Sequence, residues 1–479
     1  MSDALWTLDV MATAMGATRS GALPAKVPGI SIDSRTVGRG EAFFAITGES
    51  RDGHDFVAAA LAAGAGLAVI AADRRAAMPK DAPLLVVPDV LAALVDLARA
   101  ARARSQARVI AVTGSVGKTG TKDALQLVLA REGETHSSAA SYNNQWGVPL
   151  SLARMPQRAR FGVFEIGMNH AGEITPLTRL VRPHVAIVTA VEPAHLEYFG
   201  SVEAIADAKA EIFLGLEPGG VAVINRDNPH FERLKAHAIA AGARVVGFGT
   251  RADADARLIE AALKPDCSTV RANILGADVT YKLGAPGRHV VLNSLAVLAA
   301  ASLVGADLAL CALALVSLAA PVGRGRRATL TVPGGTAVLI DESYNANPAS
   351  MRAALALLGQ TPVLRSGRRI AVLGDMLELG AKGAELHREL VEPVVANAVD
   401  LVFCAGPLMQ ALWQALPSER RGAYAEAAAA LESKVVAAIR AGDAVMVKGS
   451  LGSRMGPIVK ALERRYARHE AGETATAQG

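Results

Sequence analysis

The chain has 479 residues, of which 51% are hydrophobic and 20% are charged, a balance that excludes an intrinsically disordered protein. This length predicts two to four domains, at roughly 100–200 residues per domain. The formal net charge of +5 is small for such a chain, so it fits anionic substrates and does not indicate a nucleic-acid partner.

The cysteines and the N-terminal residues favour a cytoplasmic protein. Cys267, Cys311 and Cys404 lie far apart and form no CxxC pair. This argues against a disulfide framework or a zinc site, and for a reducing compartment. The stretch "MSDALWTLDV" has no basic segment at its start, so it does not match a signal peptide.

Residues 1–105 alternate short apolar runs with helical stretches, which is typical of a small α/β domain. The strand candidates are "GISIDS", "AFFAI", "LAVIAA" and "PLLVVPD". The helical candidates are "HDFVAAALAAGA" and "VLAALVDLARAARARS". The charged run "ARARSQAR" marks the end of this first domain.

Residues 106–320 follow a strand–helix repeat. The strand candidates are "RVIAVTG", "FGVFEIG", "HVAIVTAV", "GVAVIN" and "RVVGFG". Continuous apolar runs separated by helices are typical of parallel strands that are covered on both faces. The pattern predicts a doubly wound domain with a mostly parallel sheet, and a β-rich insert over about residues 250–284.

The segment 292–321, "LNSLAVLAAASLVGADLALCALALVSLAAP", is apolar enough to raise the question of a membrane span. Asn293 and Asp307 interrupt it, Gly305 fits a helix end, and Pro321 closes it. We therefore predict two buried helices joined by "GAD" and no stable membrane insertion.

Residues 321–479 predict a third domain, of Rossmann-like α/β type. Its strand candidates are "AVLIDES", "RRIAVLGD", "LVFCAG" and "DAVMVKGS". Its helical candidates are "SMRAALALLG" and "AYAEAAAALESKVVAAIRAG". The polar tail 469–479 is expected to be disordered.

The stretch "AVTGSVGKTGTKDAL" follows the strand candidate "RVIAV" and is typical of a phosphate-binding loop. Gly117, Lys118 and Thr119 fit the GxxxxGK[ST] pattern, but Val112 occupies its first glycine position and Gly114 supplies the turn. Backbone N–H groups of such a loop hold phosphate oxygens at a helix N-terminus. The loop alone predicts binding of ATP or GTP, and the alternative is an ordinary turn with a surface lysine.

Two further residues follow strand candidates of the same sheet. Glu165 lies just inside the end of "FGVFEIG", and His195 lies just past "HVAIVTAV". Ligands of doubly wound sheets bind beyond the carboxyl ends of the strands, so both side chains are expected to approach Thr119. A hydroxyl, a carboxylate and an imidazole are reasonable ligands for a catalytic Mg²⁺ ion.

Together with Lys209 in "DAKAEIF", these motifs resemble the central-domain signature of the Mur ligases, the ATP-dependent amide-forming enzymes of peptidoglycan precursor synthesis. The resemblance implies that Lys209 is carbamylated and helps bind a second Mg²⁺ ion. From the residues alone, Lys209 fits equally a solvated helix face.

Within this family, further stretches resemble the member that joins D-alanyl-D-alanine to a UDP-N-acetylmuramoyl-tripeptide. They are "SYNNQWGVPL", "GMNHAGEI", "DESYNANPASM" and "AVLGDMLELG", with His387 downstream. The stretch 31–57 resembles the UDP-binding first domain of that enzyme, and the resemblance covers about residues 30–460 in order. It implies an enzyme that takes ATP, the tripeptide nucleotide and the dipeptide as substrates and works through an acyl phosphate. We expect the protein to be a monomer.

The resemblance also assigns a role to individual residues. The implied catalytic residues are Lys118, Glu165, His195, Lys209, Asn143 and Asn144. The implied ATP contacts are Thr113, Gly114, Ser115, Val116, Gly117, Lys118, Thr119, Asn293, Arg324 and Asp341. The implied metal ligands are Thr119, Glu165, His195 and carbamylated Lys209. Ser34, Arg35, Asp52 and Gly53 are implied on the UDP side, and Tyr344, Asn345, Asn347 and Lys448 on the dipeptide side.

The chain departs from the family pattern at two arginine positions. The late family motif K-G-S-R is replaced by "KGSLGSR", with Leu451 at the arginine position and Arg454 three residues later. In "GRGRR", Arg324, Arg326 and Arg327 compete for the nucleotide contact, and we choose Arg324. The role of the late arginine stays open.

Three other functions compete with this prediction. A sister enzyme, such as another Mur ligase or a folylpolyglutamate or cyanophycin synthetase, would share the chemistry. A P-loop switch protein or kinase would not need a UDP-type first domain or a second Rossmann-like domain. A non-catalytic binding protein would not need Lys118, Glu165, His195 and Lys209 together.

Overall fold

The computed structural model describes residues 4–48, 51–139, 142–194, 196–320, 322–364 and 366–466. The predicted metal ligand His195, the helix-closing Pro321 and the tail 469–479 lie outside the described residues. The described chain forms three successive α/β units, as the sequence predicts.

The first unit is built from short strands and helices. Its strands are β1 (Trp6–Thr7), β2 (Thr18–Ser20), β3 (Lys26–Val27), β4 (Ile30–Ser31), β5 (Ala42–Phe44), β6 (Leu67–Ala71) and β7 (Leu84–Val87). Its helices are α1 (Leu8–Met15), α2 (Val57–Ala62) and α3 (Val90–Arg104). The order β2-β7-β6-β5-β4 gives a sheet in which β2 pairs antiparallel and the other neighbours pair parallel.

The second unit carries the largest sheet. Its strands are β8 (Arg108–Thr113), β9 (Thr135–Ser137), β10 (Phe161–Glu165), β11 (Val185–Val188), β12 (Val221–Asn225), β13 (Arg244–Gly249), β14 (Ala256–Leu263), β15 (Ser268–Ile274) and β16 (Ala277–Leu283). Its helices are α4 (Lys118–Leu129), α5 (Gly147–Ala153), α6 (Ile174–Val181), α7 (Leu196–Phe199), α8 (Val202–Ala210), α9 (Phe231–Ala240), α10 (Arg288–Leu303) and α11 (Leu308–Ala314). The sheet order is β16-β15-β14-β13-β12-β11-β8-β10-β9.

This order confirms the predicted doubly wound sheet and its β-rich insert. From β9 to β14 neighbouring strands pair parallel, and β15 and β16 add antiparallel strands to the same sheet. Every residue of β10 and β11 is buried, which explains why continuous apolar runs predicted them. Strands β9 and β10 lie on one side of β8, and strands β11 to β14 lie on the other side. The order in which strands are added to the sheet therefore reverses at β8.

The apolar segment near residue 300 forms two helices, as predicted. Helix α10 ends before Gly305, which has a φ of +85°, and α11 begins after the cap residue Asp307. Leu295 and Leu298 of α10 are fully buried. No helix within the described part of the chain is long and apolar enough to cross a bilayer.

The third unit has a Rossmann-like sheet. Its strands are β17 (Arg326–Val332), β18 (Gly335–Glu342), β19 (Arg369–Gly374), β20 (Leu401–Ala405), β21 (Arg421–Ala425) and β22 (Ala444–Lys448). Its helices are α12 (Pro348–Gln360), α13 (Gly383–Arg388), α14 (Val391–Ala396), α15 (Met409–Ala415), α16 (Glu432–Ala438) and α17 (Gly456–Arg465). The order is β17-β18-β22-β19-β20-β21, with β17 antiparallel to β18 and the remaining neighbours parallel.

One predicted helix is partly wrong. The alanine-rich stretch 423–442 was predicted as a continuous helix, but its start belongs to strand β21, and α16 is short. Alanine favours helix intrinsically, whereas pairing with β20 at the sheet edge stabilises an extended chain. Tertiary pairing therefore overrides local propensity here.

Helices α3 and α5 join the first two units. The indole Nε1 of Trp6 donates to the carbonyl oxygen of Ala153 at 2.9 Å, and the Arg104 guanidinium lies 3.4 Å above the Trp6 ring. Arg154 donates through Nε to the carbonyl oxygen of Ile30 at 2.7 Å. These contacts hold the first sheet in a fixed position beside the end of α5.

Candidate active site

A cleft of about 1540 Å³ lies where the three units meet. Ser34 of the first unit, Lys118 of the second and Lys448 of the third all line it. The loop after β8 opens into this cleft at the point where the strand order reverses, the usual ligand position of doubly wound sheets.

The two glycines of the phosphate loop are required by close contacts. Gly114 has a φ of +148°, and a Cβ there would lie 2.0 Å from Oγ1 of Thr189. Gly117 has a φ of +83°, and a Cβ there would lie 2.5 Å from Nδ2 of Asn293. Helix α4 begins at the next residue, so its N-terminal N–H groups are available to an anion. This loop fits a nucleotide phosphate.

Lys118 folds back over the loop that precedes it. Its Nζ donates to the carbonyl oxygen of Gly114 at 2.7 Å. Burial lowers the pKa of Lys118, Arg324 adds to this shift, and the carboxylate of Glu165 opposes it. Arg324 comes from the third unit, so cations of two units face the same loop.

Glu165 is held at both of its oxygens. The hydroxyl of Thr119 donates to Oε2 at 2.8 Å, and Nδ2 of Asn143 donates to Oε1 at 2.7 Å. The N–H of Gly167 in turn donates to the carbonyl oxygen of Asn143 at 2.8 Å. The carboxylate is 1% exposed, so its position is fixed by these bonds.

The surroundings of Glu165 fit a magnesium ion that is shared with phosphate oxygens. Mg²⁺ is usually held by one or two protein oxygens together with water and substrate phosphates. Thr119 and Glu165 supply such oxygens beside the phosphate loop. The described residues contain no group of three or more His, Cys, Asp or Glu side chains that could hold a metal by themselves.

Lys209 is buried, which contradicts its interpretation as part of a solvated helix face. Its residue is 2% exposed, near the end of α8. Burial and the charge of Lys118 place the pKa of Lys209 well below its ordinary value. A neutral amine is the form that reacts with carbon dioxide, so the site suits the predicted carbamate. Lys209 is not among the residues that line the cleft.

The predicted UDP-side residues divide into two groups. Ser34, Arg35 and Gly53 line the cleft, whereas Asp52 does not. The Asp52 carboxylate accepts bonds from the backbone of His54 at 3.0 Å and from Arg74 at 2.7 Å. Burial alone would raise the pKa of Asp52, but the backbone and ring of His54 and the hydroxyl of Thr47 lower it to about 2. The bond from the His54 backbone also fixes the turn that presents Gly53.

The third unit places most of its predicted residues in the cleft wall. Arg324, Tyr344, Asn345, Asn347 and Lys448 all line the cleft. The Arg324 guanidinium lies 4.3 Å from the centre of the Tyr344 ring. Lys448 donates to Oε2 of Glu342 at 3.2 Å and to the carbonyl oxygen of Asn345 at 2.9 Å.

Asp341 and Arg454 lie away from the cleft lining. The Asp341 carboxylate is 3% exposed and accepts the N–H of Gly323 at 3.0 Å and the hydroxyl of Ser343 at 2.7 Å. It thus supports the loop that carries Arg324. Arg454 is exposed, in a left-handed conformation with a φ of 54°, and does not line the cleft.

His387 is a buried structural residue. Its Nε2 accepts the N–H of Met376 at 2.9 Å, and its Nδ1 lies 2.6 Å from the carbonyl oxygen of Gly383. One nitrogen accepts and the other donates, so the ring is neutral in this arrangement. Burial lowers the pKa of His387, which favours this neutral form.

Models of the Mur ligases match the chain in three consecutive segments. The Mur ligase family catalytic domain matches residues 26–104, the middle domain matches 112–301, and the glutamate ligase domain matches 325–451. The UDP-N-acetylmuramoyl-tripeptide–D-alanyl-D-alanine ligase of Escherichia coli is 35% identical over 438 residues, which are 91% of this chain and 93% of that protein.

The chain belongs to the Mur ligase family. It is therefore an enzyme and a ligase, as the sequence predicted. The crystal structure of MurF from Acinetobacter baumannii is similar with a TM-score of 0.82 and 28% identity, over 96% of this chain and 99% of that one. MurF of Thermotoga maritima in complex with ADP gives a TM-score of 0.75 and 27% identity, over 91% and 98% of the two chains.

Several residues that line the cleft of this Mur ligase were not predicted from the sequence. They include Trp146, Glu192, His289 and Glu342. Trp146 and Glu342 lie in the motif stretches "SYNNQWG" and "DESYN" that carry the family resemblance, so their position in these motifs was a signal that they line the site. Burial raises the pKa of Glu192, and Ser115 of the phosphate loop bonds both backbone groups of that residue.

Proposed function

We propose that this Mur ligase joins D-alanyl-D-alanine to UDP-N-acetylmuramoyl-tripeptide, at the expense of ATP, in peptidoglycan precursor synthesis. The observation that carries the proposal is the fixed carboxylate of Glu165, which links Thr119 of the phosphate loop to Asn143 of the "SYNN" loop. Similarity to the Escherichia coli ligase over nearly the whole chain supports the substrates.

Each unit holds one substrate end in this proposal. Residues 1–105 bind the UDP end through Ser34, Arg35 and Gly53, with Asp52 behind them. Residues 106–320 bind ATP along Thr113–Thr119 and Asn293. Residues from 321 onward supply the remaining contacts. Arg324 contacts the nucleotide, and Asp341 lies behind it. The dipeptide is contacted by Tyr344, Asn345, Asn347 and Lys448. All units share one cleft, so the ends of the substrates meet in it.

The reaction starts from a carboxylate, which is a poor acyl donor at neutral pH. Transfer of the γ-phosphoryl group of ATP to this carboxylate gives an acyl phosphate and ADP. The dipeptide amine, having lost a proton, then attacks the acyl carbon, and inorganic phosphate leaves. Asn143 and Asn144 lie at the reacting carboxylate, and Lys118 offsets the negative charge that accumulates as the two anions approach.

The remaining negative charge of the phosphates calls for metal ions, and the chain offers residues that would hold them. Two Mg²⁺ ions, one at Thr119 and Glu165 and one near His195 and carbamylated Lys209, would neutralise the phosphate oxygens when bound. Thr119, Glu165 and Lys209 fit this role because all three are buried, and because the two described hydrogen-bond donors to the Glu165 carboxylate, Thr119 and Asn143, are neutral. Carbamylation would convert the buried amine of Lys209 into a carboxylate-like anion, which can bind a Mg²⁺ ion and whose negative charge the ion would offset.

The cleft also protects the intermediate. An acyl phosphate is hydrolysed by water, so a site assembled from separate domains favours transfer to the amine. The third unit contacts the second close to the cleft, where the N–H of Glu197 in α7 donates to the carbonyl oxygen of Glu378 at 3.3 Å. We further propose that the enzyme acts in the cytoplasm as a monomer.

The proposal is tested by ADP and phosphate release over a matrix of UDP-muramoyl peptides and amine acceptors. We expect release only when the tripeptide nucleotide and D-alanyl-D-alanine are both present, with the pentapeptide nucleotide as product by mass spectrometry. Preference for a single amino acid would identify a sister ligase instead. Phosphate release without any amine would identify an NTPase.

A further inference from the structure

Trp146 stands between the two ends of the cleft. Its indole faces the first unit, where a Cβ on Gly48 would lie 3.3 Å from the Trp146 Cη2 atom. Asn143, three residues earlier, donates to Glu165 beside the phosphate loop. Trp146, Gly48 and Arg51 all line the cleft. The indole therefore lies between the UDP-side residues and the reactive end.

The position of Trp146 is fixed by the start of helix α5. Oδ1 of Asn144 accepts the N–H of Trp146 at 3.3 Å and the N–H of Gly147 at 2.9 Å. Gly147 packs so closely on Tyr142 that a Cβ there would lie 2.6 Å from its backbone. The indole is half-buried, so one part of the ring packs on protein and another part faces the cleft.

Ser34, Trp146 and Glu165 line the same cleft, so a long substrate that reaches from Ser34 to Glu165 shares it with this ring. In the proposed function, its two ends are a uridine diphosphate and a peptide carboxylate, and its middle is a pyranose ring with methyl-bearing lactoyl and alanyl groups. The C–H face of a sugar and methyl groups are apolar, and a rigid aromatic ring binds such surfaces with little loss of side-chain entropy.

We propose that Trp146 is a binding residue for the middle of the UDP-linked substrate, where its indole packs against the muramoyl sugar and the adjacent methyl groups. This inference rests on the proposed function. It assigns Trp146 to recognition of the sugar and not to phosphoryl transfer, which takes place beyond Asn143.

Steady-state kinetics separate this role from a structural one. We expect Trp146→Ala to raise the KM for the tripeptide nucleotide about tenfold, because the apolar contact is lost. The kcat and the KM for ATP and for the dipeptide should stay within about twofold. Trp146→Phe should recover most of the loss. A variant whose kcat and melting temperature fall while the KM is unchanged would overturn the proposal.

Intrinsic fluorescence tests the contact directly, since the chain has three tryptophans. Trp413 lies outside the cleft lining, 6.3 Å from the ring of Tyr424, so Trp413→Phe is the matched control. UDP-N-acetylmuramic acid and the tripeptide nucleotide should change the emission of the wild type and of Trp413→Phe, but not of Trp146→Phe. UDP alone should not change it.

An emission change that UDP alone produces, or that persists in Trp146→Phe, would contradict the inference. The proposed function fails separately, if the wild type does not ligate D-alanyl-D-alanine. If the wild type ligates D-alanyl-D-alanine normally and Trp146→Ala has unaltered kinetics, the inference is wrong and the proposed function stands.

Discussion

The hydroxyl of Thr119 donates to the carboxylate of Glu165 at 2.8 Å, so the first turn of helix α4 is tied directly to the end of strand β10. Asn143 holds the other oxygen of the same carboxylate at 2.7 Å. A residue of the phosphate loop and a residue of the "SYNN" loop thus meet on one anion. In the proposed reaction, an ion bound at this carboxylate would lie between the phosphate donor and the carboxylate that receives the phosphate.

Replacing Thr119 by Val should lower kcat about 10²–10³-fold, because the hydroxyl that bonds Glu165 and would bind Mg²⁺ is removed while the shape is kept. Thr119→Ser retains the hydroxyl and should stay within about tenfold of the wild type. Initial rates at saturating ATP measure both. Equal losses in the two variants would show that the hydroxyl is not what matters.

Replacing Lys209 by Ala should abolish most activity, and acetate or formate should partly restore it. A small carboxylate could occupy the cavity and supply the oxygens that the proposed carbamate would provide, whereas an amine could not. Lys235→Ala on α9 is the control, because this side chain is partly exposed and lies outside the cleft lining, so its loss should leave the rate unchanged. Rescue by methylamine instead of acetate would contradict the carbamate.

Gly117→Ala should raise the KM for ATP by at least tenfold. The φ of +83° strains an L-residue by roughly 1–2 kcal/mol, and the new Cβ would also press on Asn293 at 2.5 Å. Gly242→Ala is matched in conformation, with a φ of +78°, but has no neighbouring atom within 4 Å. It should lose stability without a change in KM. A similar KM in both variants would argue against the close contact.

His387 predicts a pH dependence of stability. Burial lowers the pKa of His387 in the folded protein below the value of about 6.5 of the unfolded chain. As the pH falls through that value, the unfolded state binds a proton that the folded state resists, so the wild type loses stability. His387→Gln cannot titrate, and its stability deficit should therefore shrink between pH 7.5 and pH 5. Denaturant unfolding of both proteins at pH 7.5 and at pH 5 measures the difference in their free energies of unfolding. A difference that is constant or larger at pH 5 would be evidence against a lowered pKa of His387.

The central sheet and the convergence of Thr119 on Glu165 were predictable from the sequence. Strands such as β10 are continuous apolar runs because both faces are buried, and their carboxyl ends meet at one edge. A functional role for Lys209 could be predicted only from the family resemblance. Nothing in the sequence around Lys209 distinguishes a buried from a solvated helix position. Its burial depends on how α8 packs in the folded chain.

The remaining differences between the prediction and the structure concern the hydrogen-bond partners of polar side chains. Asp52 and Asp341 were predicted as ligand contacts, but the structure places both outside the cleft lining, with His54 and Gly323 among their donors. Such partners come from distant or turn positions that a single sequence does not reveal. Strand β21 was missed for the related reason that its pairing with β20 is a tertiary contact.

In the proposed reaction, the γ-phosphate of the ATP held by the loop passes to the peptide carboxylate. The most direct measurement uses a tripeptide nucleotide whose terminal carboxylate carries ¹⁸O, ligated to D-alanyl-D-alanine in the presence of ATP. Each turnover should transfer one ¹⁸O atom to the released inorganic phosphate, since the acyl phosphate breaks at the bond between the acyl carbon and the bridging oxygen. Product formation with no ¹⁸O in the phosphate would contradict it.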